Sequence, residues 1–308
     1  MPESERSLNA KTIELSGARR DWFFNAAAVL PAPMLLLGSI LSIQLGNALA
    51  TTLFRRAGVV DVVLMRAGFA ALVLWLVAHP RLTRYSSRHW RYAALLGVVT
   101  VAMNLAFYSA TARIPLGVAM AVDFLGPVTV AVAGSRRPRE LIWPVLAYGG
   151  VLLLTPLSGL SSLDPLGLIF ALCAAVGWAS YVVLTARTSE MFDGTAGLTL
   201  ATTFGTLALI PLALTRGRMP VDGQLIAAGF VVAMLSTALP FALEFVVLRR
   251  MAKRMFGVLL SAEPAVAALI GLIVLKQTLA THEWIAILLV SVAAIGVTVT
   301  PRPAGEKG

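Results

Sequence analysis

Apolar stretches of about 20 residues, each long enough to cross a bilayer as an α-helix, follow one another along most of the chain. Short polar segments separate them. Ten stretches are predicted to be membrane-spanning helices, with approximate bounds 30–52, 60–79, 92–111, 114–134, 140–157, 165–186, 195–215, 223–247, 255–275 and 282–300. Ten helices with short turns use nearly the whole chain, so the pattern predicts an all-α membrane protein.

The composition agrees with this interpretation. Hydrophobic residues make up 58% of the chain and charged residues only 13%, whereas soluble domains carry roughly 25% charged residues. The mean hydropathy is +0.84. The single Cys173 lies inside a predicted span, which excludes an intramolecular disulfide.

The segments between the spans differ in positive charge, and this difference predicts how the protein is oriented in the membrane. Of the 25 Lys and Arg residues, 18 fall on one side of the membrane if the N-terminus is cytoplasmic, and six fall on the other. An excess of these residues marks cytoplasmic loops. We therefore predict cytoplasmic tails at residues 1–28 and 301–308, and we interpret the net charge of +10 as a topology signal. No compact basic domain is left, so nucleic acid is not expected as a partner.

The two halves of the chain each contain a stretch with a glycine, an acid and a proline. In GVAMAVDFLGP the acid is Asp123, in GVLLSAEP it is Glu263, and each acid follows its glycine by six residues. The two acids are 140 residues apart, close to half of the chain. A unit of five spans crosses the membrane an odd number of times, so the second unit begins on the opposite side and has the inverted orientation. We predict two inverted five-helix repeats, at 29–157 and 165–300, an arrangement used by many secondary transporters.

A carboxyl group inside a bilayer is costly and is usually functional. Pro127 and Pro264 lack an N–H, so each leaves the carbonyl four residues earlier without its helical donor. Such acceptors are tolerated in a membrane only against protein or a water-filled cavity. We therefore predict that both prolines break their helices, and that Asp123 and Glu263 bind a cationic group or carry protons. The alternative is a structural role in which polar or basic neighbours pair with the two acids.

Four sequence segments resemble the EamA-domain family of the drug/metabolite transporter superfamily. They are LMRAGFAALVL (64–74), IPLGVAMAVDFLGPVTVAVAGSRRP (114–138), STALPFALE (236–244) and FGVLLSAEPAVAALIG (256–271). Within the superfamily the chain is most similar to the threonine/homoserine exporter group, over about residues 30–300. The resemblance implies ten helices, two EamA repeats and export of small amino acids or related metabolites.

Eight further residues inside the predicted spans are candidates for substrate binding or coupling: Gln44, Asn47, Arg66, Asn104, Tyr108, Trp178, Tyr181 and Glu244. Asn104 and Tyr108 are one helical turn apart, so together they can hydrogen-bond a zwitterion. Gln44 and Asn47 are three residues apart and share a helix face. Ordinary bonds between helices are the alternative for both pairs.

The remaining four candidates also have two interpretations. Trp178 and Tyr181 can wall a cavity or simply pack against other helices. Glu244 can bind substrate or pair with Arg249 at the membrane surface. Arg66 can hold Asp123 or a substrate carboxylate, or its long side chain can extend outward to the surface.

Signatures of catalysis and of cofactor binding are missing from the sequence. The three histidines share no metal-binding spacing, and the chain has no G-x-S-x-G, H-E-x-x-H or P-loop motif. We therefore predict no catalytic residue, no metal and no cofactor, and we expect transport to draw on a substrate or proton gradient.

The function that we predict is a secondary transporter, multi-pass in the cytoplasmic (inner) membrane, that exports small amino acids or related metabolites such as threonine and homoserine. Its expected partners are that small-molecule substrate and the lipid bilayer; no oligomeric state is predicted. An exporter of drugs or other metabolites is the first alternative. A membrane-embedded enzyme is a more remote one, because an enzyme has no need of two intramembrane acids related by inversion.

Overall fold

The computed structural model describes residues 30–78, 80, 82–133, 141–154, 163–192, 195–215, 222–248, 250–251 and 253–299. Twelve α-helices lie in these ranges: α1 (Ala32–Ala78), α2 (Ser87–Thr111), α3 (Leu116–Asp123), α4 (Leu125–Ala133), α5 (Ile142–Leu153), α6 (Pro165–Met191), α7 (Ala196–Leu214), α8 (Gly223–Ala233), α9 (Leu239–Leu248), α10 (Lys253–Leu260), α11 (Glu263–Val274) and α12 (Thr281–Val299). A 3-10 turn at Leu82–Arg84 precedes α2, and a π-helical segment at Met234–Ala238 joins α8 to α9. The predicted all-α class is confirmed, since none of the described residues forms a strand.

Six helical stretches in the described ranges have the length and hydropathy of membrane spans: Ala32–Leu76, Ser87–Thr111, Pro165–Met191, Ala196–Leu214, Gly223–Glu244 and Met255–Val274. Leu116–Val130, Ile142–Leu153 and Thr281–Gly296 are shorter apolar helices. Large apolar side chains also cover the outside of the molecule, as in Leu76 at 76% and Leu214 at 74% exposure. Apolar surface on this scale fits contact with lipid rather than with water.

Helix α1 folds back on itself at Gly58. This residue has φ 76° and ψ 164°, values outside the helical region, and its positive φ is one that glycine adopts without strain. Gly46 packs closely on Ser236, and Arg66 donates to the carbonyl of Ser236. In a straight helix residues 46 and 66 would be about 30 Å apart. We therefore divide α1 into α1a (32–57) and α1b (59–78).

Three of the predicted spans are interrupted rather than continuous. Phe124 separates α3 from α4, the π-helical segment separates α8 from α9, and a turn at residues 261–262 separates α10 from α11. Helices α2 and α6 extend beyond the predicted spans at polar ends: α2 begins at Ser87 and α6 continues to Met191. Their polar end turns extend the helices beyond the apolar stretches by which the spans were recognised.

The centre of the molecule is built around α3, in which every residue is buried. Helix α3 packs on α6 and α11, α2 packs on α6 and α7, and α5 packs on α12. Small residues allow these close approaches. A Cβ on Gly205 of α7 would lie 2.7 Å from the carbonyl oxygen of Gly97 on α2, for example. Such small-residue contacts are typical of helices packed within membranes.

Candidate functional site

Both intramembrane acids lie where their helices are interrupted. Asp123 is the last residue of α3, and Pro127 lies in the first turn of α4. Glu263 is the first residue of α11, and Pro264 is the second. Pro127 has no N–H for the carbonyl of Asp123, so the backbone at that interruption keeps a free helical acceptor.

Three carboxyl groups from three different helices interact at this place. Asp123 and Glu263 are buried, at 6% and 5% exposure. The acids that interact electrostatically with Glu263 are Glu244 of α9 and Asp123 of α3. Glu244 is half-buried, and its carboxylate accepts a hydrogen bond of 2.8 Å from the Ser39 hydroxyl of α1a. The Oδ1 atom of Asp123 is buried without a hydrogen-bond partner among the described residues, which leaves a strong acceptor available.

Four of the other candidates form one chain of hydrogen bonds across three spans. Arg66 Nη1 donates to the Tyr108 hydroxyl at 3.0 Å, which in turn donates to Asn47 Oδ1 at 3.3 Å. Asn47 Nδ2 then donates to Gln44 Oε1 at 3.4 Å. The guanidinium of Arg66 also lies 5.3 Å from the centre of the Tyr108 ring. We call these four residues, Arg66, Tyr108, Asn47 and Gln44, the donor relay.

The π-helical segment supplies further acceptors to α1. The Ser42 hydroxyl donates to the carbonyl of Leu235 at 2.7 Å. Arg66 Nε donates to Thr237 Oγ1 at 3.4 Å, and Arg66 Nη2 lies 3.5 Å from the carbonyl oxygen of Ser236. In this segment the N–H groups bond five residues back, as Leu239 bonds the carbonyl of Met234, so Pro240, which has no N–H, leaves the carbonyl of Leu235 for the Ser42 hydroxyl. π-Helical segments of this kind are frequent at functional sites.

The sequence analysis did not single out Ser39, Ser42 or Thr237. A signal that could have pointed to the segment of Thr237 is Pro240, within the apolar stretch of residues 223–247. A proline in the middle of a helix leaves a backbone carbonyl about one turn earlier without its N–H donor, and side-chain donors from other helices can then bond it. Ser39 and Ser42 carry no comparable signal, because a serine inside a span usually bonds its own backbone.

The three remaining candidates are Trp178, Tyr181 and Asn104. Trp178 of α6 meets the ring of Phe124 edge to face, with centroids 5.4 Å apart, so it packs directly against the interruption after Asp123. Tyr181 of α6 interacts electrostatically with Glu244. Asn104 Nδ2 donates to the carbonyl of Thr100 in its own helix at 2.8 Å.

Two sequence-based alternatives for the charged candidates can be compared with this geometry. Among the described residues, the guanidinium of Arg66 donates hydrogen bonds to Tyr108, Thr237 and Ser236, and not to Asp123. Glu244 bonds Ser39, while Arg249 lies outside the described residues. Within the described part of the chain, no group of three His, Cys, Asp or Glu side chains is arranged to hold a metal ion.

Comparison with known proteins identifies the family. The model of the EamA-like transporter family matches residues 165–299. The chain is 36% identical over 271 residues to the threonine/homoserine exporter RhtA of Escherichia coli strain K12, covering 87% of this chain and 92% of the relative. The protein belongs to the EamA-like transporter family. It is therefore a multi-pass membrane transporter of the exporter type.

Other relatives agree with this assignment. The threonine/homoserine exporter RhtA of Salmonella typhimurium strain LT2 is 35% identical over the same length. An uncharacterized inner membrane transporter, YicL, of the same strain is 25% identical over 68% of this chain and 72% of its own length. One solved crystal structure aligns with 86% of this chain and 95% of its own, with a TM-score of 0.56 and 18% identity, which supports the fold alone.

Proposed function

We propose that this EamA-like transporter is a secondary transporter that exports small hydroxylated amino acids, threonine and homoserine first among them, across the inner membrane. The relatives that are named threonine/homoserine exporters support this choice of substrate, since the alignment covers 92% of their length. The site chemistry supports it independently. Acidic groups suit the ammonium of an amino acid, and amide and arginine donors suit its carboxylate.

The helix bounds support ten membrane crossings. The stretch Ala32–Leu76 has 45 residues, and a straight helix of that length would measure about 68 Å, twice the bilayer core. The two halves of α1 therefore count as two crossings. The pairs α3–α4, α8–α9 and α10–α11 count as one each, and α2, α5, α6, α7 and α12 complete ten.

The pattern of helix packing supports two inverted repeats. In this proposal α1a, α1b, α2, α3–α4 and α5 correspond to α6, α7, α8–α9, α10–α11 and α12. The contact of α2 with α6 then corresponds to that of α9 with α1, and the contact of α4 with α6 to that of α11 with α1. Helices α5 and α12 pack on their own counterparts. The family match at residues 165–299 has the bounds of the second proposed repeat.

The electrostatic interaction of Glu263 with Glu244 and Asp123, which lie on two other helices, is the observation that carries the proposed site. We assign Asp123 and Glu263 to the ammonium group of the substrate or to protons, and Glu244 to the same acidic cluster. We assign Trp178 and Tyr181 of α6 to the border of this cluster, and the donor relay of α1 and α2 to the carboxylate end of the substrate. Asn104 is assigned to the wall of the substrate path, and Pro127 and Pro264 keep the helices interrupted beside the acids.

Labelled-substrate flux in proteoliposomes tests this function. We expect the purified protein to exchange labelled threonine and homoserine, and cells that overexpress it to tolerate inhibitory external threonine. Asp123→Asn should strongly reduce both effects without lowering the amount of protein in the membrane. Glu190→Gln, an exposed position at the end of α6, is the control for loss of a carboxylate and should keep both effects.

Two outcomes would replace this proposal. Protection against lipophilic cations without any amino-acid flux would indicate a drug exporter of the same superfamily. Chemical conversion of the substrate would indicate a membrane-embedded enzyme. Such an enzyme would need acids clustered at one membrane surface, whereas Asp164 and Asp222, near the proposed outer surface, accept hydrogen bonds from the first turns of α6 and α8.

A further inference from the structure

The donor relay has a fixed direction. An arginine side chain can only donate hydrogen bonds, so the Tyr108 hydroxyl must accept from Arg66 and give its own proton to Asn47. Asn47 then uses its amide oxygen as the acceptor and turns its Nδ2 toward Gln44 Oε1. The oxygen of the Gln44 amide is thereby occupied, and the free end of the relay is the Nε2 group with its two N–H donors.

The Gln44 Nε2 group is buried and has no hydrogen-bond partner among the described residues. Gln44 itself is 0% exposed. A buried amide N–H without a partner is costly, and such groups in native proteins call for a specific explanation. The relay holds this amide in place and prevents the rotation that would exchange its oxygen and nitrogen.

The position of Gln44 links the relay to the acids. Gln44 lies one turn beyond Ile40 on the same face of α1a. Ile40 and Leu36 form a cluster in which Leu260 and Val266 also pack. Leu260 and Val266 lie on either side of Glu263 in the sequence, so the face of α1a that carries Ile40 packs near the segment that carries this acid. Helix α11 packs on both α1 and α3, so the free donor at Gln44 and the free acceptor at Asp123 Oδ1 lie on two helices that contact the same third helix.

We propose that Gln44 Nε2 binds the carboxylate of the transported amino acid, and that Arg66, Tyr108 and Asn47 are positioning residues that keep this donor turned toward the substrate. This inference rests on the proposed amino-acid export. The acidic cluster offers acceptors for the ammonium group but repels the carboxylate, so the substrate needs a donor, and Gln44 supplies one. In this arrangement Arg66 does not touch the substrate. Its hydrogen bonds hold Tyr108 and the π-helical segment in place, and Tyr108 and Asn47 in turn orient the Gln44 amide.

Competition between threonine and threoninol tests the inference, because threoninol replaces only the carboxylate with a hydroxymethyl group. Labelled-threonine counterflow is measured in proteoliposomes with the full-length protein. We expect the wild type to prefer threonine strongly. Gln44→Met, which keeps the length of the side chain, should raise the KM for threonine about tenfold, as expected for a lost bond to a charged group. Inhibition by threoninol and the maximal rate should change little.

Further variants separate binding from folding. If Gln44→Met does not fold, Gln44→Glu replaces it, because glutamate keeps the shape of the side chain and removes the N–H donors. Gln44→Glu should lower the affinity for threonine more than the affinity for threoninol. Tyr108→Phe should reduce the preference for threonine in the same direction but by a smaller factor. Gln224→Met, at an exposed position at the start of α8, is the matched control and should behave as the wild type.

The possible failures are distinguishable. No threonine counterflow by the wild type would refute the proposed function and this inference with it. Normal wild-type counterflow, combined with an unchanged threonine preference in both Gln44 variants, would overturn only the inference. An equal loss of affinity for threonine and for threoninol in the Gln44 variants would also overturn the inference. That result would mean that Gln44 contacts the substrate hydroxyl or stabilises the fold.

Discussion

Gly117 of α3 and Ala268 of α11 touch so closely that a Cβ on residue 117 would lie 2.5 Å from both the Cα and the Cβ of Ala268. No real side chain tolerates such a distance, so glycine is required where the two helices cross. The same two helices carry Asp123 and Glu263. The contact therefore controls how the two acids approach each other.

Gly117→Ala should destabilise the folded protein, because the added methyl group must push α3 and α11 apart. Overpacking of this kind costs about 1–3 kcal/mol. Thermal unfolding in detergent should show a lower midpoint, and threonine flux should fall as the acids move apart. Gly149→Ala is the matched control, since nothing lies within 4 Å of a Cβ at that position. Equal midpoints for the two variants would contradict the tight crossing.

Much of this architecture could be predicted from the sequence, because a membrane helix must be apolar along its whole length. That requirement also makes Asp123 and Glu263 conspicuous, since acids inside apolar stretches are rarely accidental. The fold-back of α1 at Gly58 is less visible. Only this residue leaves the helical region there, and the residues on both sides stay helical.

The donor relay could not be predicted as a unit. Gln44 and Asn47 share a helix face, which sequence spacing reveals, but their connection to Arg66 depends on the packing of α1a, α1b and α2. Asn104 shows the opposite case, because its spacing from Tyr108 suggested a pair, whereas its amide bonds the carbonyl of Thr100. Spacing along one helix fixes which residues share a face, and tertiary packing decides which partners they find.

The proposed topology makes a prediction about labelling. Glu190 lies at the end of α6 and Thr278 in the turn between α11 and α12. In a Cys173→Ala background, Thr278→Cys should react with a membrane-impermeant thiol reagent added outside intact cells. Glu190→Cys should react only after the membrane is opened. Reaction of both cysteines from the same side would exclude cytoplasmic termini combined with ten crossings.

The ion pair between Arg113 and Asp164 predicts a pH-dependent contribution to stability. Arg113 Nη1 lies 2.9 Å from Asp164 Oδ2. The Arg113 guanidinium, helped by the backbone N–H of Leu166, holds the pKa of the Asp164 carboxyl below its ordinary value. A lowered folded-state pKa contributes stability above the ordinary aspartate range, and that contribution is lost as the pH falls through the lowered value.

Arg113→Gln should therefore lower the thermal midpoint slightly at neutral pH, and the difference from the wild type should shrink as the pH falls below about 4. The effect should be small, because both side chains are partly exposed to solvent. Arg55→Gln, at another exposed arginine on the same proposed side of the membrane, serves as the control. A difference that stays constant down to acid pH would show that Arg113 acts through packing and not through its charge.

The last prediction concerns the coupling of export to protons. Asp123 and Glu263 interact with each other electrostatically, and Glu244 adds a third negative charge from α9. Neighbouring carboxylates in a site of low polarity do not all remain ionised at once, so a bound proton is a natural counter-charge for an empty site. A substrate ammonium would take the place of that proton.

Asp123→Asn and Glu263→Gln remove one titratable group each and keep the shape of the side chain. We expect both variants to fold, and threonine flux driven by a pH gradient to lose its dependence on that gradient. Glu244→Gln should change the pH profile less, because Glu244 is half-buried and is already bonded to Ser39. Flux measured at several internal and external pH values in proteoliposomes checks this, with Glu190→Gln as control. If both Asp123→Asn and Glu263→Gln keep the wild-type pH profile, neither acid carries the coupled proton, and their role reduces to binding the ammonium group.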